Sequence, residues 1–480
     1  MLDDLIKERI KKVSELRTLG IEPYPEKSSR QFTLGEVLAH FPSWSKTKKK
    51  IIIAGRVRAL RGHGGVIFCD LKDETGKLQL VLKEDILSQE QLKFFEKYID
   101  LGDFLEAQGS LFATQRGEKS LLVKKFTLLA KSLRPLPTEW FGLEDTEERF
   151  RKRYLDLLEN EEVRTRFSWR SKIISEIRNF LNQRGYLEVE TPILQTVYGG
   201  ANAQPFLTKL EALNLKLYLR IAPELYLKRL LIGGFENIYE IGKNFRNEGI
   251  DREHNPEFTM LELYSAYRTR DDLMKLLEEL IKHLVRQMKN YQDNTNLLKQ
   301  NWLKIDFEDF LNKKTGLNFT DTQEAWLKKA QEVGVEHSSS SASKEKLADE
   351  IFKKLRGEIK APTFIINQPV AISPLAKQNS QEPSKTLRFE LILNGWEIAN
   401  GFSELNDPLE QRKRFEAQAK LRAQGEAETH PQDQDFLEAL EYGMPPAAGL
   451  GIGLDRLVAV LTQASSLKEV ILFPFMKPKQ

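Results

Sequence analysis

Leu2, Leu5, Ile6, Ile10, Val13 and Leu16 recur at the three- and four-residue spacing of one helical face, while Lys7, Arg9, Lys11, Lys12 and Arg17 stay off it. The pattern predicts an amphipathic helix over 2–19, docked on its own protein or set by its basic flank against a polyanion. From about 50 to 133 the period shortens. "IIIAGRVRAL", "GVIFCDLKD", "KLQLVLK", "DFLEAQGSLFAT" and "KSLLVKKFTLLAK" are separated by glycine or acidic turns such as "RGHGG", "DETG" and "QRGE". They predict five strands with one helical insert near 87–99, which fits a small barrel of the oligonucleotide-binding kind, as it fits other small barrels. "SLRPLPTEWFGLEDTEE" (132–148) breaks the periodicity with two prolines and reads as a junction. Long helical patterns follow, and the rest of the chain alternates strands and helices, with a mainly helical insertion over about 268–345. "EHSSSSASKEK" and "AKQNSQEPSK" (376–385) read as mobile loops. The expected organisation is a helical extension at 1–49, a barrel at 50–133, a linker at 134–150 and a large α+β domain at 151–480.

Strand alternation sorts the charges of this large domain, because every second residue shares a face. With "NIYEIGKNFR" (237–246) and "FTMLELYSAY" (258–267) as antiparallel neighbours, one face holds Glu240, Gly242, Asn244, Arg246, Phe258, Met260, Glu262 and Tyr264. A solvated face would account for the charges but not for the aromatic and methionine side chains among them. A concave site for a charged ligand accounts for both. In "RFELILNGWEIANGFSEL" (388–405), Asn394-Gly395 marks a two-residue hairpin turn. That turn sets Ile392 opposite Glu397 and Glu390 opposite Ala399, leaving Glu390 and Glu397 as diagonal neighbours about 7–8 Å apart. Such a pair either holds a hard cation such as Mg²⁺ or forms an exposed acidic face without metal. Strict alternation sends Asn400, Phe402 and Glu404 to the other face, so a shared pocket would need a bulge between Glu397 and Asn400 or near Gly401. In "AAGLGIGLDRLVAVLT" (447–462), Gly449, Gly451 and Gly453 strip side chains from one strand face. They serve either a flat ring lying on backbone or close helix packing. Arg456 enters near a helix start, where the dipole disfavours a cation unless an anion is close.

Composition narrows the classes. In 480 residues, 40% are apolar and 30% charged, and no uncharged apolar run reaches the roughly 18 residues of a membrane span. Asp3, Asp4 and Glu8 argue against a secretory or transit peptide at the start. Cys69 is the only cysteine, which excludes an intrachain disulfide or a cysteine-based structural zinc and points to a reducing cytoplasm. Net charge is only +3, from 73 basic and 70 acidic residues, so nucleic-acid binding would use a local basic face. There is no G-x-x-x-x-G-K-[ST] phosphate loop and no internal repeat.

"GYLEVETPIL" (185–194), "FRNEG…HNPEFT" and "GLGIGLDR" (449–456) together resemble the three signature motifs of class II aminoacyl-tRNA synthetases. "PLP…GLEDTEERFRKRYLDLL", "LYLRIAPELYLKRLLIGGFENIYEIGKNFRNEGID", "ISPLAK", "FSELNDP" and "EYGMPP" extend the likeness over nearly the whole chain, and they resemble the lysyl-tRNA synthetase family of the bacterial/eukaryotic type. The resemblance implies an N-terminal OB-fold β-barrel that reads the anticodon, an antiparallel sheet flanked by helices, and a homodimer through the first motif. It implies a ligase joining L-lysine to tRNA(Lys) with ATP and Mg²⁺.

Carried over by position, Arg246 bridges the substrate carboxylate and the α-phosphate and, with Arg456, is catalytic. Glu248, His254, Phe258, Glu390 and Arg456 bind ATP, with Phe258 stacked on adenine. Glu390 and Glu397 hold the metal. Glu224 takes the α-amino group of lysine, and Glu262, Tyr264, Asn400, Phe402 and Glu404 surround its ε-ammonium. Arg61, Phe68 and Gln79 meet the anticodon, Phe68 as the stacking platform. Independently of the resemblance, Glu262 and Glu404 suit an ammonium that loses its water, and no basic residue stands at those positions to suit an aspartate side chain. The sequence departs from the family at Gln204 and Trp396, where arginine is usual, and at Lys209, Leu210 and Glu211, where His-His-Asn is usual. Asp251, Arg252 and Glu253 carry no assigned role. A catalytically inactive, regulatory tRNA-binding relative and a ligase that attaches lysine to a protein remain the competing readings.

Overall fold

A computed structural model describes residues 2–137, 145–288, 297–335, 342–423 and 431–479. The chain forms two compact units, Met1–Glu144 and Asp145–Gln480. In the first, helix α1 (Leu2–Thr18) and the short helices α2 (Leu34–Ala39) and α3 (Phe41–Lys46) precede strands β1 (Ile51–His63), β2 (Val66–Lys72) and β3 (Lys77–Lys83), helix α4 (Gln89–Tyr98), and strands β4 (Phe104–Ala113) and β5 (Lys119–Ala130). The strands close into a barrel in the order β1-β2-β3-β5-β4. One long strand pairs with two neighbours because β1 is bulged between Val57 and Ala59, its first half against β4 and its second against β2. Leu16, Leu34, Val37 and Phe41 share the barrel's core, so 1–49 packs as part of this unit and is not a detached extension. The predicted apolar stripe of α1 is used only in part. Val13 and Leu16 are buried, whereas Leu2, Leu5 and Ile10 are exposed.

In the second unit, helices α5 (Thr146–Arg151), α6 (Arg153–Glu159) and α7 (Glu161–Asn182) lead into short strands β6 (Leu187–Glu188), β7 (Leu194–Gln195), β8 (Leu207–Leu210) and β9 (Leu215–Leu219) and helix α8 (Glu224–Ile232). Then come β10 (Asn237–Phe245), β11 (Glu257–Ala266), α9 (Arg270–Gln287), β12 (Leu303–Asp306), α10 (Phe307–Thr315), α11 (Gln323–Glu332) and α12 (Lys344–Leu355). Strands β13 (Thr363–Ile366), β14 (Arg388–Leu393) and β15 (Trp396–Ser403), helices α13 (Pro408–Ala423) and α14 (Gln434–Glu441), strand β16 (Ala447–Gly453) and helix α15 (Leu454–Leu461) complete it. Eight strands make one sheet in the order β12-β13-β14-β15-β16-β11-β10-β6, antiparallel except at its two outermost pairs. The architecture is α+β with an OB-type barrel, as expected from the sequence.

The predicted helical insertion at about 268–345 is redrawn. Leu273, Leu277 and Leu284 of α9 pack into the main core beneath the sheet with Ile177 of α7 and Leu457 of α15. Residues 303–306 are the sheet's edge strand, and the separate helical cluster of α10–α12 runs on to Leu355 around Trp326 and Phe352. Most of "EHSSSSASKEK" lies outside the described residues. The other loop, 376–385, is tied down by bridges between Ala376 and Glu404 and between Gln378 and Thr386.

Candidate active site

The register of the sheet assembles the site on the face opposite the main core. Glu240 pairs with Glu262, Gly242 with Met260 and Asn244 with Phe258, so the shared face expected for these two strands is present. The two-residue Asn394-Gly395 turn is present in the hairpin of β14 and β15, with Leu393 opposite Trp396, but the register beyond it departs from strict alternation. Ile392 opposes Glu397, but Leu391 opposes Ala399 and Glu390 opposes Asn400. Ile398 is therefore a bulge residue, and it turns its apolar side chain into the core. This one extra residue returns Asn400 and Phe402 to the face that carries Glu397, which is the bulge a common pocket required.

Strand β16 lies between β15 and β11, and its glycines form the floor of a trench. Gly449 sits between Phe402 and Tyr264, and Gly451 between Asn400 and Glu262. A Cβ on Gly449 would come within 2.3 Å of the Tyr264 ring and 2.4 Å of Glu404 Oε1, and one on Gly451 within 2.3 Å of Met260 Cε. These two glycines thus make room for side chains from β11 and its neighbours. At Gly453 the nearest atom is 3.7 Å away, so only there is the backbone bare enough to receive a flat ring.

A cavity of about 1360 Å³ covers this face and is lined by Glu224, Arg246, Glu248, His254, Phe258, Glu262, Tyr264, Glu390, Glu397, Asn400, Phe402 and Arg456. Glu404 lies just behind its wall, 1% exposed. The structure therefore brings the residues singled out in the large domain to one place. At the blind end, the Tyr264 hydroxyl donates to Glu262 Oε2 at 3.1 Å. Burial pushes Glu262 up to about 8, with the charge of Glu224 adding to it. Burial likewise raises Glu404 to about 8 against the pull of Lys228.

Lys228 was not foreseen: no basic residue stands at the positions assigned around the ε-ammonium, but this one reaches their carboxylates from behind. Its ammonium is fully buried, 2.6 Å from Glu224 Oε1 and 2.6 Å from Glu404 Oε2. The two carboxylates outweigh its burial and keep it charged. The signal in the sequence is the Glu224–Lys228 pair at i,i+4 on α8. Glu240 is on the expected face but is closed off by an ion pair with Arg220, which also donates to the Lys243 carbonyl at 3.0 Å.

The mouth of the cavity is richer in arginine. The Arg246 guanidinium is 5.1 Å from the Phe258 ring, and its Nε is buried without a hydrogen-bond partner. Arg388 donates to Glu390 Oε1 at 2.7 Å and to Asn400 Oδ1 at 3.0 Å. Arg356 donates to Glu397 Oε2 at 2.6 Å and to Glu253 Oε2 at 3.3 Å. Arg456 donates to the Glu397 carbonyl at 3.1 Å and stands 3.1 Å from His254 Nε2. Burial raises Glu390 to about 7, with Glu397 adding to it. Burial acts on Glu397 in the same sense, but Arg356 and Arg456 outweigh it and hold that carboxylate at about 2. Arg356 and Arg388 carry no sequence signal of their own, because what matters is where the hairpin and the end of α12 meet.

The three unassigned charges of the 246–256 loop have internal partners. Asp251 Oδ1 accepts from the backbone of Glu253 at 2.6 Å and of His254 at 2.8 Å, and Asp251 Oδ2 lies 2.9 Å from the His254 ring nitrogen Nδ1. Arg252 lies 5.1 Å over the ring of Trp396, one of the departures from the family pattern. Of the other departures, the Gln204 carbonyl accepts from Asn247 N at 2.8 Å, while Lys209 pairs with Glu211 at 2.9 Å beside the exposed Leu210.

On the barrel, Arg61 pairs directly with Phe68, and Gln79 with Asp70, so the three residues singled out there share the outer face of β1–β3. Gln79 Oε1 accepts from Ser120 at 3.0 Å.

A family model described as tRNA synthetases class II (D, K and N) matches residues 145–477, and an OB-fold nucleic acid binding domain model matches residues 51–129. The chain is 48% identical to a lysine–tRNA ligase of Carboxydothermus hydrogenoformans over 100% of its own length and 99% of the relative's. It is 46% identical to one of Thermotoga maritima, over 100% and 97%. It is 47% identical to lysine–tRNA ligase 2 of Methanosarcina mazei, over 98% and 93%. Among the described residues no helix is long and apolar enough to cross a membrane. With both units matched and relatives at 46–48% identity over nearly the whole chain, the chain belongs to the class II tRNA synthetases, within the lysine–tRNA ligase family.

Proposed function

We propose that this chain activates L-lysine with ATP and transfers it to tRNA(Lys), and that the blind end of the cavity selects the lysine. The observation that carries this reading is the charge of that end. Glu224, Glu262 and Glu404 bring three buried carboxylates against the single ammonium of Lys228. A ligand with two ammonium groups replaces the hydration it loses there, whereas an acidic side chain meets repulsion.

In the first step an oxygen of the lysine carboxylate attacks the α-phosphorus of ATP. The bond from that phosphorus to the bridging oxygen breaks, and pyrophosphate leaves with the electron pair. Arg246, whose Nε is buried without a hydrogen-bond partner among the described residues, bridges the attacking carboxylate and the α-phosphate with planar donors. Phe258 stacks on the adenine, Glu248 borders the nucleotide, and His254 and Arg456 meet the terminal phosphates. In the second step the 3′-hydroxyl of the terminal adenosine attacks the lysyl carbonyl carbon and gives up its proton, and the bond to AMP breaks. Glu224 holds the α-amino group, and Glu262, Tyr264, Asn400, Phe402 and Glu404 enclose the ε-ammonium. No covalent protein nucleophile is needed, and Cys69 is buried in the barrel.

Glu390 and Glu397 fit a hard divalent cation. Each has one oxygen engaged by an arginine, leaving the other available, and the charge of Glu397 raises the cost of ionising Glu390. No group of three metal-ligating side chains occurs among the described residues, so phosphate oxygens would complete the set around Mg²⁺. The bound ion would neutralise phosphate charge.

On the barrel, Arg61, Phe68 and Gln79 would meet the anticodon. Leu187, Ile193 and Leu194, 49%, 43% and 49% exposed, support a homodimer through the first motif. The single reduced cysteine fits a cytoplasmic enzyme.

The test is lysine-dependent ATP–pyrophosphate exchange followed by charging of tRNA(Lys), each with and without EDTA. Exchange and charging, both lost with EDTA and restored by Mg²⁺, are the expected results. Exchange without charging would sink the tRNA reading. Absence of exchange would favour an inactive tRNA-binding relative, and exchange with aspartate instead would overturn the pocket assignment.

A further inference from the structure

Among the described residues, Lys228 is the buried cation that pairs with Glu224 and Glu404, and it does not line the cavity. Its side chain leaves α8, passes 5.2 Å from the Phe402 ring and 5.9 Å from the Phe436 ring, and ends between Glu224 and Glu404. It takes one oxygen from each. Both oxygens of Glu404 are buried without a hydrogen-bond partner among the described residues; Oε2 has the 2.6 Å ion-pair contact with Lys228, which leaves Oε1. It reaches within 2.4 Å of where a Cβ of Gly449 would stand, and Gly449 lines the cavity. An unsatisfied buried carboxylate oxygen is costly unless a donor is meant to reach it.

Charge points the same way. Glu240 is matched by Arg220 and Glu390 by Arg388, so neither adds to the count at the blind end. With all three carboxyls of Glu224, Glu262 and Glu404 ionised, the one ammonium of Lys228 leaves two negative charges, equal to the two ammonium groups of lysine; in the empty pocket burial favours the protonated carboxyls, so this balance belongs to the lysine-bound site. Lys228 opposes the burial that raises Glu224 and Glu404, so without it both carboxyls would hold their protons more tightly against an incoming ammonium.

We propose that Lys228 is a positioning residue that determines specificity for the ε-ammonium, by clamping one oxygen each of Glu404 and Glu224 and leaving the other for the substrate. It acts through those carboxylates and touches neither reacting atom. The inference rests on the lysine reading of the pocket.

The test is a double-mutant cycle of Lys228→Met and Glu404→Gln in the full chain, read by ATP–pyrophosphate exchange with lysine and with norleucine, which lacks the ε-ammonium. Lys228→Met is expected to lower kcat/KM for lysine by at least about tenfold, mostly through the lysine KM. The ATP KM should stay within about threefold, and norleucine, which keeps the α-amino group that Glu224 holds but lacks the ε-ammonium, should lose clearly less than lysine does. In the Glu404→Gln background the same substitution should cost clearly less than in the wild type, because one of its two partners is already gone and only Glu224 remains. Equal losses in both backgrounds, or equal losses for lysine and norleucine, would overturn the proposal. Should Lys228→Met alone not fold, the double variant removes the buried pair together, which cores tolerate better. Its lysine kcat/KM then falls below that of Glu404→Gln alone by less than about tenfold if the inference holds, and by about tenfold or more if not. A wild-type chain without lysine-dependent exchange would instead refute the proposed function.

Discussion

Glu262→Gln should stabilise the protein while disabling its selection of lysine, and the gain should grow with pH. Glu262 is 4% exposed, and burial raises it from an ordinary 4.5 to about 8. The folded chain therefore binds this proton more tightly than the unfolded chain. No penalty exists below pH 4.5; it grows as pH rises and levels off above about 8. Integrating between those two values gives a cost of about 2 kcal/mol at pH 6 and about 4 kcal/mol at pH 8. Glutamine keeps the shape and an oxygen for the Tyr264 hydroxyl but has no proton to lose. Urea unfolding of both full-length proteins, followed by tryptophan fluorescence in lysine-free buffers, gives the difference directly. The variant should gain on the wild type by about 2 kcal/mol between pH 6 and pH 8. Adding lysine should stabilise the wild type and leave the variant nearly unmoved. A difference that does not change with pH would refute the reasoning, because it would mean the carboxylate is already charged and compensated in the empty pocket.

Arg246→Lys should lower lysine-dependent exchange by about 10²–10³-fold without changing the unfolding midpoint, since an ammonium cannot span carboxylate and phosphate as a planar fork does. Gly449→Ala should raise the lysine KM at least about tenfold in exchange assays, because its Cβ would stand 2.3 Å from the Tyr264 ring and 2.4 Å from Glu404 Oε1. Phe68→Ala should weaken tRNA binding by about 1–3 kcal/mol in filter-binding titrations while exchange without tRNA is unchanged. Glu397 is held at about 2 by Arg356 and Arg456, so it contributes stability above pH 4.5 that is lost as pH falls towards 2. Acid titration of Glu397→Gln should accordingly show a shallower loss of stability over that range than the wild type.

Local pattern determined much of this protein. The five barrel strands, the paired strands carrying Glu262 and Tyr264, the Asn394-Gly395 turn and the glycine-lined β16 are all written in alternation and turn chemistry. These are short-range properties, set by pleat and by backbone freedom at a few positions. Lys228, Arg356 and Arg388 were decided elsewhere. Lys228 meets Glu404 across 176 residues of chain, a count taken between their two positions in the sequence, and no periodicity links them. The bulge at Ile398 follows from core packing on the far side of the sheet, yet it is what turns Asn400 to the ligand face. Trp396 likewise became intelligible only with Arg252 stacked on it. Side-chain type and spacing thus determined which chemistry the chain carries. Tertiary structure alone decided which charges cancel and which stay open, because a buried charge is defined by every element packed against it.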